Sequence, residues 1–434
     1  MSSDDPLPCL LVADDLTGAT DTGHSFAERG YRTRVLLDPG AEDASLSDAN
    51  ADVLAISTDS RYLDEAAAAE AVRSAVESHP ASVVYKKVDS TLRGNVTAEI
   101  GAALEAADAT TVVVAPAFPA NDRLTACGWH LVEGELVTDT AFGQDEKAPS
   151  SAHLPTLLEA PAKEIGHLSI GTVAAGEEAV RNALEGADDR SVIACDAIYE
   201  AHLAAIAAGT APLEPLYAGS AGLAEQIEVP VGADAVASDQ PPARSRSQKG
   251  DRTRESVLGV VGSVHAATLE ALAAMPDERV VLLDSFETVN DPEAAGAAAG
   301  ERALAALASD GVAIVTAART DDDIERTMAA GHATGVAPEA VGDRVRAALA
   351  SAAVAVCNRS HPGGLFLTGG DVAEAVLEGL STAAIDLTGE EVDAGVPVGH
   401  LVGGLADGAG VVTKAGGFGD TGTIVRAIER LELP

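Results

Sequence analysis

Short apolar runs alternate with Ala-rich segments of helical composition along most of the chain. In the first half CLLVAD, TRVLL, DVLAIS, SVVYKKVD, TVVVAPA and SVIACDA are short and rich in β-branched residues, the pattern of buried strands. Segments such as DEAAAAEAVRSAVESH between them combine helix formers with a polar face. The same rhythm returns later in VLGVVGS, RVVLLDS, VAIVTAA and GLFLTGG, each followed by a helical segment. Strands alternating with helices predict α/β architecture with mainly parallel sheets.

Residues 235–256 interrupt that rhythm. The stretch AVASDQPPARSRSQKGDRTRES combines Pro, Ser and Gln with clustered Arg and Lys and little apolar content, and reads as an exposed linker. It divides the chain into residues 1–234 and 257–434, two α/β domains, as expected for a length of 434 residues. In such folds ligands bind beyond the carboxyl ends of the strands, so the residues that follow each strand carry the functional information.

Composition narrows the function classes. The chain is 47% hydrophobic with aromatics at only 3%, so Ala and Val must supply most of the core. Its 68 acidic residues against 28 basic ones give a net charge of −40. That field repels polyanions and argues against nucleic acid or anionic membranes as partners. It suits the solvated surface of a salt-adapted, halophilic protein, or an acidic protein from a GC-rich genome. Cys9, Cys127, Cys195 and Cys357 are widely spaced, which predicts reduced thiols in a cytoplasmic protein. The acidic N-terminus lacks a signal-peptide pattern, and no apolar run reaches membrane-spanning length.

In so acidic a chain, retained cations are informative. The first strand runs into Asp14-Asp15-Leu16-Thr17-Gly18, where paired carboxylates can bind hydroxyls, hold Mg²⁺ or accept a proton, or where one residue caps a helix. The fourth runs into Lys86-Lys87-Val88-Asp89-Ser90-Thr91-Leu92-Arg93-Gly94-Asn95, three cations around an Asp, a Ser and a Thr. Lys87 and Arg93 suit a ligand carboxylate, and Asp89 suits its hydroxyls. The third strand ends in Ser57-Thr58-Asp59-Ser60-Arg61, which predicts a shared pocket including Asp14 and Asp59. The loop from Ala115 to Pro119, with Asn121 and Arg123 beyond it, can serve structure or binding.

Three Gly-rich strand ends follow the linker: Gly262-Ser263-Val264-His265, Thr368-Gly369-Gly370-Asp371 and Lys414-Ala415-Gly416-Gly417. Backbone N–H groups and helix N-termini at such turns can approach phosphates, with Lys414 beside them and Asp371 available to a metal or a ribose hydroxyl. His265 can be a catalytic base or a helix-opening polar residue. Neither a GxxxxGK[ST] P-loop nor a proper GxGxxG is present, the latter weighing against a dinucleotide site.

The motifs DDLTGA, KKVDSTLRGN, AGSAGLA at 218–224, TGGD and KAGGFGD, in this order over nearly the whole chain, resemble the four-carbon acid sugar kinase family. The resemblance implies an N-terminal domain for a sugar acid such as threonate, erythronate or 3-oxo-tetronate. It also implies a C-terminal domain for ATP, with Mg²⁺, and transfer to the 4-hydroxyl in an interdomain cleft. It places ATP against Ser263, the turn Gly369-Gly370-Asp371-Val372 and Gly416; relatives often carry a small hydroxyl residue where His265 stands. Within that mechanism Arg93 and Lys87 hold the carboxylate, Asp15 or Asp89 takes the hydroxyl proton, and Lys414 faces the phosphates. A homodimer is the default assembly. The competing readings are a dinucleotide-dependent sugar-acid oxidoreductase and a non-enzymatic nucleotide-responsive sensor.

Overall fold

The computed structural model describes residues 6–37, 51–159, 165–184, 191–231, 256–414 and 419–432. The chain forms two compact units, one built from residues up to 39 and 43–239, the other chiefly from 240–434. Most of the linker, residues 235–255, lies outside the described residues.

The first unit is organised on strands β1 (Leu7–Ala13), β2 (Thr33–Leu36), β3 (Val53–Ser57), β4 (Ala81–Lys87) and β5 (Thr111–Ala115). Three more follow a small insertion: β9 (Ile165–Leu168), β10 (Ser191–Cys195) and β11 (Leu216–Gly219). Their order is β2-β3-β1-β4-β11-β5-β10-β9, and every pairing is parallel. All residues of β1, β5 and β10 are buried, because helices cover both faces; this is why these strands read as continuous apolar runs. From β1 the chain moves outward to β2 and β3, then returns past β1 to β4. The crevice beyond the carboxyl ends of β3, β1 and β4 is therefore a topological switch point.

The insertion is an antiparallel sheet of β6 (Arg123–Ala126), β7 (Trp129–Val132) and β8 (Glu135–Leu136). Its turns are Cys127-Gly128, with φ of 53° and 81°, and Glu133-Gly134, with φ of 53° and 85°. Two consecutive left-handed residues match the tight turns that suit the twist of paired strands.

The second unit is built on β12 (Val257–Val261), β13 (Val280–Leu282), β14 (Val312–Thr316), β15 (Gly364–Thr368), β16 (Ala384–Glu391), β17 (Pro397–Val402) and β18 (Gly410–Lys414). Five strands are parallel in the order β13-β14-β12-β15-β18, and β17 and β16 continue antiparallel. Val257, Ile314, Phe366 and Val412 form the centre of its core with Ile424, Ile428 and Leu431 of the last helix, Thr423–Glu432. Among the described residues no helix is long and apolar enough to cross a membrane.

Candidate functional site

Strand register sets the geometry of the first constellation. Ala13 is level with Ser57, and Val12 with Lys86, so Asp14-Asp15, the turn after β3 and the end of β4 meet side by side. Asp15 caps the helix Leu16–Glu28, its Oδ1 accepting from the Gly18 N–H at 2.7 Å. Capping therefore occurs, yet it occupies only one oxygen of the pair.

The residue that joins the strand ends is Arg61. Its Nε and Nη2 donate to the two Asp14 oxygens at 2.7 and 3.0 Å, and its Nη1 lies 2.7 Å from Asp15 Oδ2. Asp59 is on the same turn, exposed and left-handed at φ 44°, while Arg61 makes the contacts that tie the turn to the carboxylates. The Asn95 side-chain amide donates to the carbonyls of Ser60 and Leu63, each at 3.0 Å, which fixes the turn from below.

The two lysines that end β4 diverge. Lys86 is fully buried and its ammonium lies 2.9 Å from Glu99 Oε2, while Glu99 Oε1 accepts from Ser60 Oγ at 2.6 Å. Its charge is thus spent on the helix Val96–Ala106. Lys87 donates to the Val88 carbonyl at 2.9 Å and acts electrostatically on Asp14, Asp15 and Asp89, which makes it the lysine of the site. Asp89 Oδ2 accepts from Thr91 Oγ1 at 2.5 Å and Arg93 Nε at 2.6 Å. The Arg93 guanidinium lies 5.2 Å from the Phe142 ring centre, with its Nη1 3.6 Å from Asp145.

These contacts push the three carboxyls apart in acidity. Burial raises Asp14, but Arg61, Lys86 and Lys87 outweigh it and leave the group below its ordinary value. Burial also raises Asp15, and the adjacent Asp14 charge adds to the effect beyond what Arg61 and Lys87 offset, so this carboxyl lies above the usual range. At Asp89, burial is overcome by Arg61 and Arg93, which hold it well below that range. Asp15 also has the more accessible side chain, 29% exposed against 3% for Asp14. An accessible carboxylate with raised proton affinity, among cations able to grip an anion, suits proton abstraction from a hydroxyl.

The second constellation is equally a product of register. Val261, Thr368 and Lys414 end adjacent parallel strands at one level. The Gly262 N–H donates to the Thr368 carbonyl at 2.9 Å, and the Gly369 N–H to the Lys414 carbonyl at 3.1 Å. Gly369 has φ 91°, and a Cβ there would lie 3.3 Å from the Ser263 nitrogen, so both conformation and space require glycine. Val372 packs so closely on Gly262 that a Cβ on that glycine would overlap it. Gly369 and Gly370 open the helix Gly370–Gly379, with Asp371 exposed in its first turn and no side chain capping its N-terminus. His265 precedes the helix Ala266–Ala273 without a side-chain cap bond.

Lys414 is buried, donates to Thr268 Oγ1 at 3.2 Å, and is lowered in pKa by that burial against the pull of Asp393. Thr268 Oγ1 in turn donates to Ser263 Oγ at 3.4 Å. The buried Thr368 Oγ1 has no hydrogen-bond partner among the described residues. A side-chain-free turn, two helix N-termini open to a ligand and an orphaned hydroxyl fit a phosphate-bearing nucleotide. Ser263, Gly369, Gly370, Asp371, Val372 and Lys414 therefore gather at one place, whereas Gly416 lies outside the described residues. No group of three or more His, Cys, Asp or Glu with metal-binding geometry occurs among the described residues. Mg²⁺ carried on nucleotide phosphates needs only one or two carboxylates, and Asp371 is an exposed carboxylate in the first turn beside this Gly-rich strand end.

Sequence reasoning did not single out Glu99, His130 or Thr268, and named Arg61 only as part of a turn. Each acts across long sequence separations, so local spacing carried no sign of it.

Residues 9–227 match the family model described as a sugar-binding N-terminal domain, and residues 258–424 that of a nucleotide-binding C-terminal domain. A D-threonate kinase of Salmonella typhimurium is 32% identical, with 98% of each chain covered. A D-threonate kinase of Bordetella bronchiseptica is 35% identical over 97% of this chain and 96% of its own. Further relatives are named D-erythronate kinase, at 30% identity, and 3-oxo-tetronate kinase, at 29%. A solved chain from Salmonella typhimurium LT2 shares the fold with a TM-score of 0.79 at 22% identity, covering 98% of this chain and 99% of that one. With both domain models matched and relatives aligned over nearly their whole length, the chain belongs to the four-carbon acid sugar kinase family and is a phosphotransferase.

Proposed function

We propose that this kinase uses ATP with Mg²⁺ to phosphorylate the terminal 4-hydroxyl of a four-carbon sugar acid, D-threonate in preference to erythronate or 3-oxo-tetronate. Residues 1–234 bind the acid and residues 257–434 the nucleotide. The observation that carries the reading is the convergence of Asp14, Asp15, Arg61, Lys87, Asp89 and Arg93 at the ends of three neighbouring strands. An acid with several hydroxyls needs both a cationic grip and carboxylate acceptors, and this cluster provides the two together. D-threonate takes precedence because the relatives named for it share 32 and 35% identity with this chain.

In this mechanism Lys87 and Arg93 hold the substrate carboxylate, while Asp89, Asp14 and Asp59 read its hydroxyls or position the groups that do. Asp15 accepts the proton of the 4-hydroxyl as it attacks. Ser263, the Gly369–Val372 turn, Gly416 and Lys414 hold the nucleotide; Asp371 would be the carboxylate for Mg²⁺, which when bound would supply neutralisation of the phosphate charge. The buried thiols of Cys9, Cys195 and Cys357, each pushed up by burial, suit a cytoplasmic enzyme.

The test is ADP release by the purified chain in concentrated KCl with ATP, Mg²⁺ and each four-carbon acid. Turnover is expected with D-threonate foremost, giving a product phosphorylated at C4. Absence of ADP release with every acid would overturn the reading, and a different preferred acid would overturn only the substrate assignment. Gly369→Val provides a second check. A branched residue at φ 91° beside the Ser263 nitrogen should raise KM for ATP about tenfold or more, with KM for the acid little changed.

A further inference from the structure

We infer that His130 is a positioning residue for acid binding: from the inserted small sheet it fixes the tautomer-specific hydrogen bond that holds the Asp89–Arg93 loop in its binding shape. The inference rests on the proposed role of that loop, and deepens it by assigning a purpose to the insertion.

His130 lies on β7 and is fully buried. Its Nε2 is 2.8 Å from the Ser90 carbonyl oxygen, and its Nδ1 is 2.9 Å from Thr125 Oγ1 on the neighbouring strand β6. A carbonyl oxygen can only accept, so Nε2 must carry the proton. Nδ1 of the neutral ring must then accept from the Thr125 hydroxyl. Burial lowers the His130 pKa to about 4, against smaller upward effects from the Ser90 contact and Asp89, so the neutral form persists at ordinary pH.

The carbonyl that His130 grips belongs to the residue between Asp89 and Thr91. Two residues later Leu92 is held at φ 60°, a left-handed conformation unfavourable for a branched apolar residue. The loop therefore stores strain and needs an external tether to keep Asp89, Thr91 and Arg93 in register. The tether's own base is secured: Thr125 pairs with Ala197 through backbone bonds of 2.9 Å in both directions. The Cys127 and Gly128 N–H groups donate to the buried Asp196 carboxylate, each at 2.8 Å. Asp196 also accepts from the Ile170 N–H at 2.9 Å and contacts His167 Nε2 at 3.0 Å, so the hairpin is anchored on the main sheet.

His130→Leu removes the donor and leaves the Ser90 carbonyl unsatisfied. KM for the acid should rise roughly tenfold or more, with KM for ATP within about twofold. His130→Gln, whose amide nitrogen can reach the same carbonyl, should recover most of that loss. A merely structural role would lower thermal stability and disturb both Michaelis constants together, without selective rescue by Gln. Either that pattern or an unchanged acid KM in His130→Leu overturns the inference. A substrate-free measurement separates it from the functional reading: ¹⁵N NMR of histidine-labelled enzyme, assigned with His130→Gln, should show His130 as the neutral Nε2–H tautomer at pH 7. An Nδ1–H tautomer or an imidazolium overturns the inference whether or not any four-carbon acid is turned over.

Discussion

Replacing Asp15 by Asn is expected to lower kcat roughly a thousandfold while KM for the acid changes less than about threefold. Asn keeps the size of the side chain and can still accept from the Gly18 N–H, so the cap on the helix Leu16–Glu28 survives, and Arg61, although it loses its contact with Asp15 Oδ2, keeps its two bonds to Asp14. What is lost is the proton acceptor. The sequence left Asp15 and Asp89 as equal candidates for this role, and their surroundings separate them. Asp89 is clamped by Thr91 and Arg93 and held strongly ionised, a state that makes it a good anchor and a poor base. Asp15 is more exposed and carries a raised proton affinity from burial and from the Asp14 charge beside it. Asp89→Asn should accordingly act mainly on KM for the acid. The acid limb of the kcat profile should lie above the usual carboxylate range in the intact enzyme and disappear in Asp15→Asn. Steady-state kinetics of both variants would reverse the assignment if Asp89→Asn lost turnover and Asp15→Asn kept it.

The parallel strands were legible because a strand covered by helices on both faces must be apolar throughout, and CLLVAD or TVVVAPA cannot be much else. The small sheet of residues 123–136 escaped because its strands are only two to four residues long and mix polar with apolar side chains. Its best signal was the pair of X-Gly turns, Cys127-Gly128 and Glu133-Gly134, between alternating runs. Within the site, residues following a strand were visible, since a strand end exposes its next few side chains to the crevice. Glu99 was not, because on its own helix it reads as an ordinary surface glutamate. Only the buried Lys86 across from it explains why it faces inward. The same pairing shows that local charge density overstated the cations available to a ligand, since Lys86 is neutralised inside the protein. Arg61, by contrast, was undervalued: its turn was noticed for hydroxyls and for Asp59, whereas the guanidinium is what binds the ends of β3 and β1 together and acts electrostatically on Asp89 beyond β4.

Arg61→Met should therefore produce the broadest loss of any single change, about 3–5 kcal/mol of stability together with nearly all activity. The guanidinium makes two hydrogen bonds to Asp14 and a third close contact to Asp15, and its side chain is only 12% exposed. Met fills similar volume but leaves two adjacent carboxylates buried with only Lys87 and Lys86 nearby. The sign of the pH dependence follows. In the intact protein Asp14 is depressed below its unfolded value, so its contribution is present above that value and is lost as pH falls through the folded one. Without Arg61 the same carboxyl should rise above its unfolded value, so the variant would be penalised at neutral pH and relieved on acidification. Thermal melts of both proteins between pH 5 and pH 8 should thus converge toward the acidic end. Arg61→Lys should restore part of the stability, since a charge returns, but little activity, because an ammonium cannot span Asp14 with two parallel bonds and reach Asp15 as well. A variant as stable and as active as the parent would show that the pair Asp14-Asp15 does not depend on this residue, and that the backbone bonds from Thr58 and Ser60 to Ala13 and Asp14, with Asn95 and Glu99, suffice to hold the strand ends.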